Sequence, residues 1–318
     1  MGGDAADRAR GALVGLAVGD AVGTTLEFLP PGSFEPIDDL VGGGPFRLEP
    51  GQWTDDTSMA LCLADSIVTV GGMDLADQLR RYVRWRDEGL WSSTGRCFDI
   101  GGTTSRQLLR FDRTGEPVDP DPNDDEAANG SLMRLAPAPI AWHRSVAEAA
   151  ERSGETSRTT HAARRPVDCC RLYGAMVAAV IGGATLDEVL APTFWQWGDL
   201  HPQVAAIAAG SFREKEPPAI RGTGFCIHAL EAALWAVHGA TDFRSAVLRA
   251  ANLGDDADTT AAIAGQLAGA WWGWSGIPED WRAKVTMIDE ITALADSLYA
   301  LFDEGLATAA PPTSTSER

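Results

Sequence analysis

The chain has 318 residues, 45% hydrophobic and 22% charged, the balance of a soluble globular protein able to bury a sizeable core. Its formal net charge of −19 leaves no broad electrostatic attraction to nucleic acid or anionic lipid. Five cysteines are an odd number without C-x-x-C spacing, and every long apolar run is broken by Gly, Asp or Arg, so neither a disulfide scaffold nor a membrane span is expected.

The polar start MGGDAADRARG predicts no secretory leader, and a cytoplasmic protein is expected. Helical periodicity then dominates, in runs rich in Ala and Leu at residues 8–18, 58–70, 75–88, 146–155, 166–181, 224–237, 243–252, 258–272 and 286–302. Alternating β-type stretches are scarce, so the expected fold is all-α, a single compact multi-helix domain over residues 1–307. Gly- or Pro-rich segments at 42–50, 114–125 and 214–224 are long enough to be working loops. The tail TAAPPTSTSER, residues 308–318, is expected to be disordered.

Two acidic clusters stand at helix starts, TDDT at Thr54–Thr57 and DDADTT at Asp255–Thr260. A helix needs one capping side chain and benefits from one negative charge in its first turn. Packed carboxylates exceed that need, because like charges repel and burying them unpaired is costly. A hard cation removes both penalties. Carboxylate and hydroxyl donors without a His or Cys favour Mg²⁺, Mn²⁺ or Ca²⁺ over Zn²⁺. One carboxylate can also bridge two ions, roughly 3.5–4 Å apart. Either cluster alone reads as a capped helix with solvated acids; two so alike point to a metal site where the helix starts meet.

An all-α protein with paired Asp-rich clusters allows two chemistries. Ionisation of a metal-held diphosphate, as in isoprenoid synthases, calls for many basic residues and D-D-x-x-D spacing. Lys and Arg total only 26 here and neither cluster has that spacing. Hydrolysis beside a metal-bound sugar fits better.

Seven motifs decide between them: GLAVGDAVGTTLEF, WTDDTSMAL, GRCFDIGGTT, NGSLMRLAP, the pair Thr160-His161, RGTGFCIHALEAALWA and LGDDADTTAAIAGQLAGA. In this order they resemble the ADP-ribosylglycohydrolase family, and most of all its bacterial branch acting on ADP-ribosylated arginine. The resemblance covers roughly residues 8–275. It implies an all-α fold around two divalent cations, Mg²⁺ or Mn²⁺, with Thr54, Asp55 and Asp56 ligating from one side and Asp256, Asp258 and Thr259 from the other. Asp255 precedes the ligand pattern and reads as a cap or supporting acid. Asp99 and Glu27 are implied as the acids that move the proton; from spacing alone they read as a helix cap and a surface acid.

The same resemblance assigns ligand binding to the Asn129-Gly130-Ser131 turn with Met133, to His161, and to Gly222, Gly224 and Phe225, whose ring is expected on adenine or in the core. Backbone N–H groups at a small-residue helix start can hold diphosphate without a basic patch. Gly102 stands where Asn is common in the family, which leaves substrate preference open. The implied activity is hydrolysis of the bond between ADP-ribose and an acceptor, most simply arginine on protein. Serine and ADP-ribosylated nucleic acid remain open as acceptors. The alternative is a non-catalytic ADP-ribose-binding or structural protein on the same fold. Six retained oxygen ligands argue against it.

Overall fold

Glycines at positions 11, 15, 19 and 23 recur every fourth residue and so share one face of the first helix, α1 (Ala5–Gly23). Such residues weaken a helix by about 1 kcal/mol each relative to Ala, so a face of them needs a tertiary reason. A computed structural model describing residues 4–123 and 125–301 supplies it. A methyl at Gly15 would lie 2.2 Å from the Gly265 carbonyl oxygen, and one at Gly11 2.1 Å from that of Gly269. At the other end, a methyl at Gly23 would lie 2.3 Å from the Ala257 oxygen. Helix α1 therefore runs backbone to backbone and antiparallel against the helix that follows the second acidic cluster.

Fourteen α-helices make up the described residues. After α1 come α2 (Asp55–Val70), α3 (Leu75–Glu88), α4 (Gly102–Thr114), α5 (Pro137–Ala141), α6 (Val146–Ser157) and α7 (Arg164–Ile181). They are followed by α8 (Leu186–Leu190), α9 (Pro202–Ala208), α10 (Cys226–His238), α11 (Phe243–Ala251), α12 (Ala257–Trp272), α13 (Glu279–Arg282) and α14 (Ile288–Ala300). No strand occurs among the described residues; two isolated bridges, Gly43 with Leu48 and Ala128 with Phe225, are the only extended pairings there.

Helices α1 and α12 are buried on nearly every side and form the axis, with α7, α10 and α11 packed on α12 and α14 packed on α1. One continuous apolar core joins all of them, and no helix among the described residues is long and apolar enough to cross a membrane. The all-α expectation holds.

The predicted run at 75–88 matches α3, and the other long runs are recovered with shifted ends. The short helices α5, α8, α9 and α13 span four to seven residues, too few turns for a periodic signal. The run expected to end at 302 stops at Ala300. Phe302 and the tail 308–318 lie outside the described residues. The five cysteines are free thiols, as the sequence led us to expect.

Several helices here cap themselves: Asp4, Asp74, Ser145, Thr185 and Asp242 each accept from the first turn of their own helix. Helices α2 and α12, which open on the acidic clusters, do not.

Candidate active site

At the start of α2 the capping acid comes from another helix. Asp20, fully buried on α1, accepts from the Thr54 and Thr57 backbone N–H groups at 2.9 and 3.0 Å. It also accepts from the Thr57 hydroxyl at 2.6 Å and lies 2.9 Å from the Thr54 hydroxyl. Burial raises the Asp20 carboxyl above its ordinary range while these four donors pull it back down. With its backbone satisfied in this way, the α2 start leaves Asp55 and Asp56 free of capping duty. The Thr54 hydroxyl also lies 3.3 Å from Asp258 Oδ2, which ties the two acidic clusters together.

The start of α12 repeats the device. Glu27, just past the 3-10 turn Thr24–Leu26, accepts from the N–H groups of Ala257 at 2.8 Å and Asp258 at 3.4 Å. A backbone latch sets its position: the Phe28 N–H donates to the Asp255 carbonyl at 2.7 Å, and the Asp255 N–H donates to the Leu29 carbonyl at 2.8 Å. Phe28 and Asp255 both adopt left-handed backbone, with φ of 63° and 57°. Asp255 thus contributes its backbone, and the cap that the sequence reading allowed it belongs to Glu27.

Asp256 Oδ2 accepts from the Asn129 side-chain amide, and the Asp258 carboxylate accepts from the Thr259 N–H at 2.6 Å. Across the gap the Thr259 hydroxyl donates to Asp56 Oδ1 at 3.2 Å, while Asp56 Oδ2 is buried without a hydrogen-bond partner among the described residues. Glu27, Asp256 and Asp258 can each place a carboxylate oxygen within 4.8 Å of the other two.

These acids raise one another. Burial, then the Asp258 charge, pushes Glu27 up to about 12. Burial likewise brings Asp258 to about 7, Asp256 to about 6 and Asp99 to about 8. Asp55 and Asp56 are carried well above the ordinary carboxylate range by the same loss of water and by their acidic neighbours. Without a counter-charge such a group keeps several protons at neutral pH. A divalent cation would replace them, and an all-oxygen donor set with one orphaned carboxylate oxygen suits a hard ion.

A cavity of about 240 Å³ opens onto this cluster. Glu27, Asp55, Asp99, Asp256, Asp258 and Thr259 line it together with Thr104, Asn129, Gly130, Met133, His161 and Gly224. Asp99 sits at φ 60°, strained for a non-glycine residue, immediately before the turn into α4. The start of α4 at Gly101–Thr104 also lines the cavity, so Gly102 leaves this wall bare of a side chain.

The Asn129 turn is held from behind. Its N–H donates to the Gly224 carbonyl at 3.0 Å, the Cys226 N–H donates to the Ala127 carbonyl at 2.9 Å, and Gln266 of α12 donates to the Met133 carbonyl at 2.9 Å. Three sequence candidates lie behind the cavity wall. The Ser131 hydroxyl is bound to Ser157, and Gly222 presses on Thr260, which a methyl would strike at 2.5 Å. The Phe225 ring packs edge-on against His228 and into the core, not into the cavity.

His161 is placed by a relay the sequence did not suggest. The buried guanidinium of Arg134 donates to the Gly130 carbonyl at 3.1 Å and to the Thr160 hydroxyl at 2.7 Å, and it lies over the Tyr82 ring. None of its hydrogen bonds among the described residues reaches a carboxylate. A guanidinium only donates, so Thr160 accepts from Arg134, and the Thr160 hydroxyl oxygen lies 2.8 Å from His161 Nδ1, which leaves Nε2 beside Gly130. Burial, reinforced by Arg134 and Arg106, brings its pKa down to about 3. Asp20 and Arg134 both sit inside motifs that were visible in the sequence; what was not visible is that each works through another residue.

Comparison with known proteins identifies the family. A family model described as ADP-ribosylglycohydrolase matches residues 1–307. The chain is 48% identical to the ADP-ribosylarginine hydrolase Tri1 of Pseudomonas putida (strain GB-1), over 93% of this chain and 78% of that protein. It is 43% identical to Tri1 of Serratia proteamaculans (strain 568), covering 94% and 80%, and 33% identical to the ADP-ribosyl-[dinitrogen reductase] glycohydrolase of Rhodospirillum rubrum, covering 93% and 96%. A solved structure titled ADP-ribosylglycohydrolase-related protein complex superposes with a TM-score of 0.84 at 39% identity, covering 94% of this chain and 99% of that one. The chain belongs to the ADP-ribosylglycohydrolase family and is a glycohydrolase of that class.

Proposed function

We propose that this protein hydrolyses the glycosidic bond between ADP-ribose and an arginine guanidinium on a modified protein, with two divalent cations, Mg²⁺ or Mn²⁺, between the starts of α2 and α12. The observation that carries this reading is the facing pair of acid-rich helix starts, capped by Asp20 and Glu27 and opening into one cavity. The arginine acceptor follows the relatives, since two of them are named as ADP-ribosylarginine hydrolases. With no membrane-spanning helix among the described residues, we place the activity in the cytoplasm.

Thr54, Asp55 and Asp56 would hold the ions from one side and Asp256, Asp258 and Thr259 from the other, with Glu27 adjoining them. The chemistry such ions supply when bound is orientation of vicinal ribose hydroxyls and acidification of a water. The chain's own residues do the rest. Asp99, whose carboxyl burial raises above the ordinary range, delivers a proton to the departing guanidine nitrogen as the C1″–N bond breaks. Water supplies the new oxygen at C1″, and the proton it loses restores an acid of the Asp99 and Glu27 pair. His161 and the Asn129–Gly130 turn hold the phosphates. A neutral His donor and backbone groups do this without raising the positive charge of an acidic protein.

The test is release of ADP-ribose from arginine-modified protein in Mg²⁺ or Mn²⁺. We expect Asp55→Ala and Asp258→Asn each to lower turnover by at least about 100-fold, as loss of a ligand does at metal sites. Undiminished turnover in both rules out the metal mechanism. Release from serine-linked or nucleic-acid-linked substrate in preference to arginine would reassign the acceptor.

A further inference from the structure

Phe28 is the most exposed of the large apolar side chains among the described residues, at 62%. Two further observations make it unusual. Its backbone is left-handed, which a bulky residue adopts only when its surroundings insist, and the latch to Asp255 is what insists. The ring also lines the cavity, one residue after Glu27. Folding alone explains neither, since a strained backbone that delivers an aromatic ring to water gains no burial.

The ring is not isolated. It meets Phe46 at 6.1 Å, edge to face, and Phe46 meets Phe98 at 5.2 Å. Phe98 directly precedes Asp99, so the aromatic row runs along the rim from one proton-handling acid to the other. Phe46 belongs to the loop pinned by the Gly43–Leu48 bridge. The Phe28 ring thus borders the cavity that holds Asp99, with Phe46 and Phe98 next to it in the same aromatic row.

We propose that Phe28, backed by Phe46 and Phe98, is an acceptor subsite that binds a guanidinium cation on its ring face. The inference rests on the arginine reading above and deepens it. A planar, weakly hydrated cation favours an aromatic face, and the ring shares its cavity with the carboxyl groups of Glu27, Asp55 and Asp99. The acidic cluster alone would attract any cation. The ring adds preference for a flat one over an ammonium, and the latch holds it at a fixed distance from Asp256.

The experiment compares full-length wild type with Phe28→Ala, Phe28→Leu and Phe28→Trp on an arginine-linked ADP-ribosyl peptide, with free ADP-ribose binding by calorimetry as the reference. For the Ala and Leu variants we expect KM to rise about 3- to 30-fold, more than kcat falls, the range a cation on an aromatic face spans. Trp should keep wild-type KM, and ADP-ribose affinity should hold throughout. An unchanged KM overturns the proposal, as does a Leu variant equal to wild type, because then apolar contact suffices. A parallel loss of ADP-ribose affinity overturns it too, by giving the ring to the nucleotide. Agmatine titrated into wild type and followed by the Phe28 ring proton shifts separates the two readings. Shifts without turnover on arginine substrate sink the proposed reaction but keep the subsite; turnover without shifts does the reverse.

Discussion

The starts of α2 and α12 carry similar sequences and use the same device, an acid from the α1 segment reaching across to cap a helix that does not cap itself. The two acids nevertheless live in different surroundings. Asp20 is fully buried, bound by two N–H groups and beside two hydroxyls, and lines no cavity. Glu27 accepts from two N–H groups, faces the cavity and crowds against Asp256 and Asp258. The difference teaches that capping from outside serves two ends: it frees the ligand side chains of the first turn, and at one of the two starts it also draws the capping acid into the cluster.

The comparison breaks most sharply by removing each acid. Asp20→Ala should cost about 3–5 kcal/mol in urea unfolding, because it strands buried donors of Thr54 and Thr57. Glu27→Gln keeps a carbonyl oxygen for the Ala257 N–H and removes one acid from a repelling group, so metal-free stability should hold or rise while turnover falls. Equal destabilisation by both would show that the two caps do the same job.

Acidity sharpens the contrast next. Asp256, Asp258 and Asp99 sit near 6, 7 and 8 in the folded protein, above their unfolded values. The folded metal-free chain therefore binds more protons than the unfolded one between about pH 4 and 8. Its stability should fall as pH rises through that window and keep falling above it, because Glu27, Asp55 and Asp56 are raised as well. Added Mg²⁺ or Mn²⁺ should restore melting temperature most at pH 8 and least at pH 5, with proton release on binding. A metal-free melting temperature that rises from pH 5 to 8 would contradict the cluster electrostatics.

The smallest effect lies at His161. Thr160→Val removes the hydroxyl between Arg134 and His161, and ¹⁵N NMR of the imidazole should then show a changed tautomer balance. ADP-ribose affinity should drop about 3- to 10-fold, the worth of one hydrogen bond. An unchanged tautomer would make the relay a packing contact.

Much of this was legible in the chain. The clusters at Asp55 and Asp258 announce themselves because capping cannot explain so many acids, and the long helices announce themselves by period. Asp20 was not legible, because one Asp inside LAVGDAVG reads as an ordinary polar residue, and cap rules look only at residues next to the helix they cap. Arg134 reads as a surface cation until the turn it sits in points it inward. Phe28 reads as core, since exposure and left-handed backbone are tertiary facts. Phe225 and Ser131 show a further limit: a motif names the neighbourhood of a cavity without saying which side chains face it.

The glycine seam between α1 and α12 has a consequence for synthesis. Gly23 and Asp258, in contact in the folded protein, are separated by about 235 residues of chain. At about 5–20 residues per second, the ribosome delivers the second roughly 10–50 s after the first. Until then α1 has only a glycine face and no partner close enough to cover it, and the two halves of the acidic cluster have not met. A chain that stops before α12 therefore carries only half of the acidic cluster.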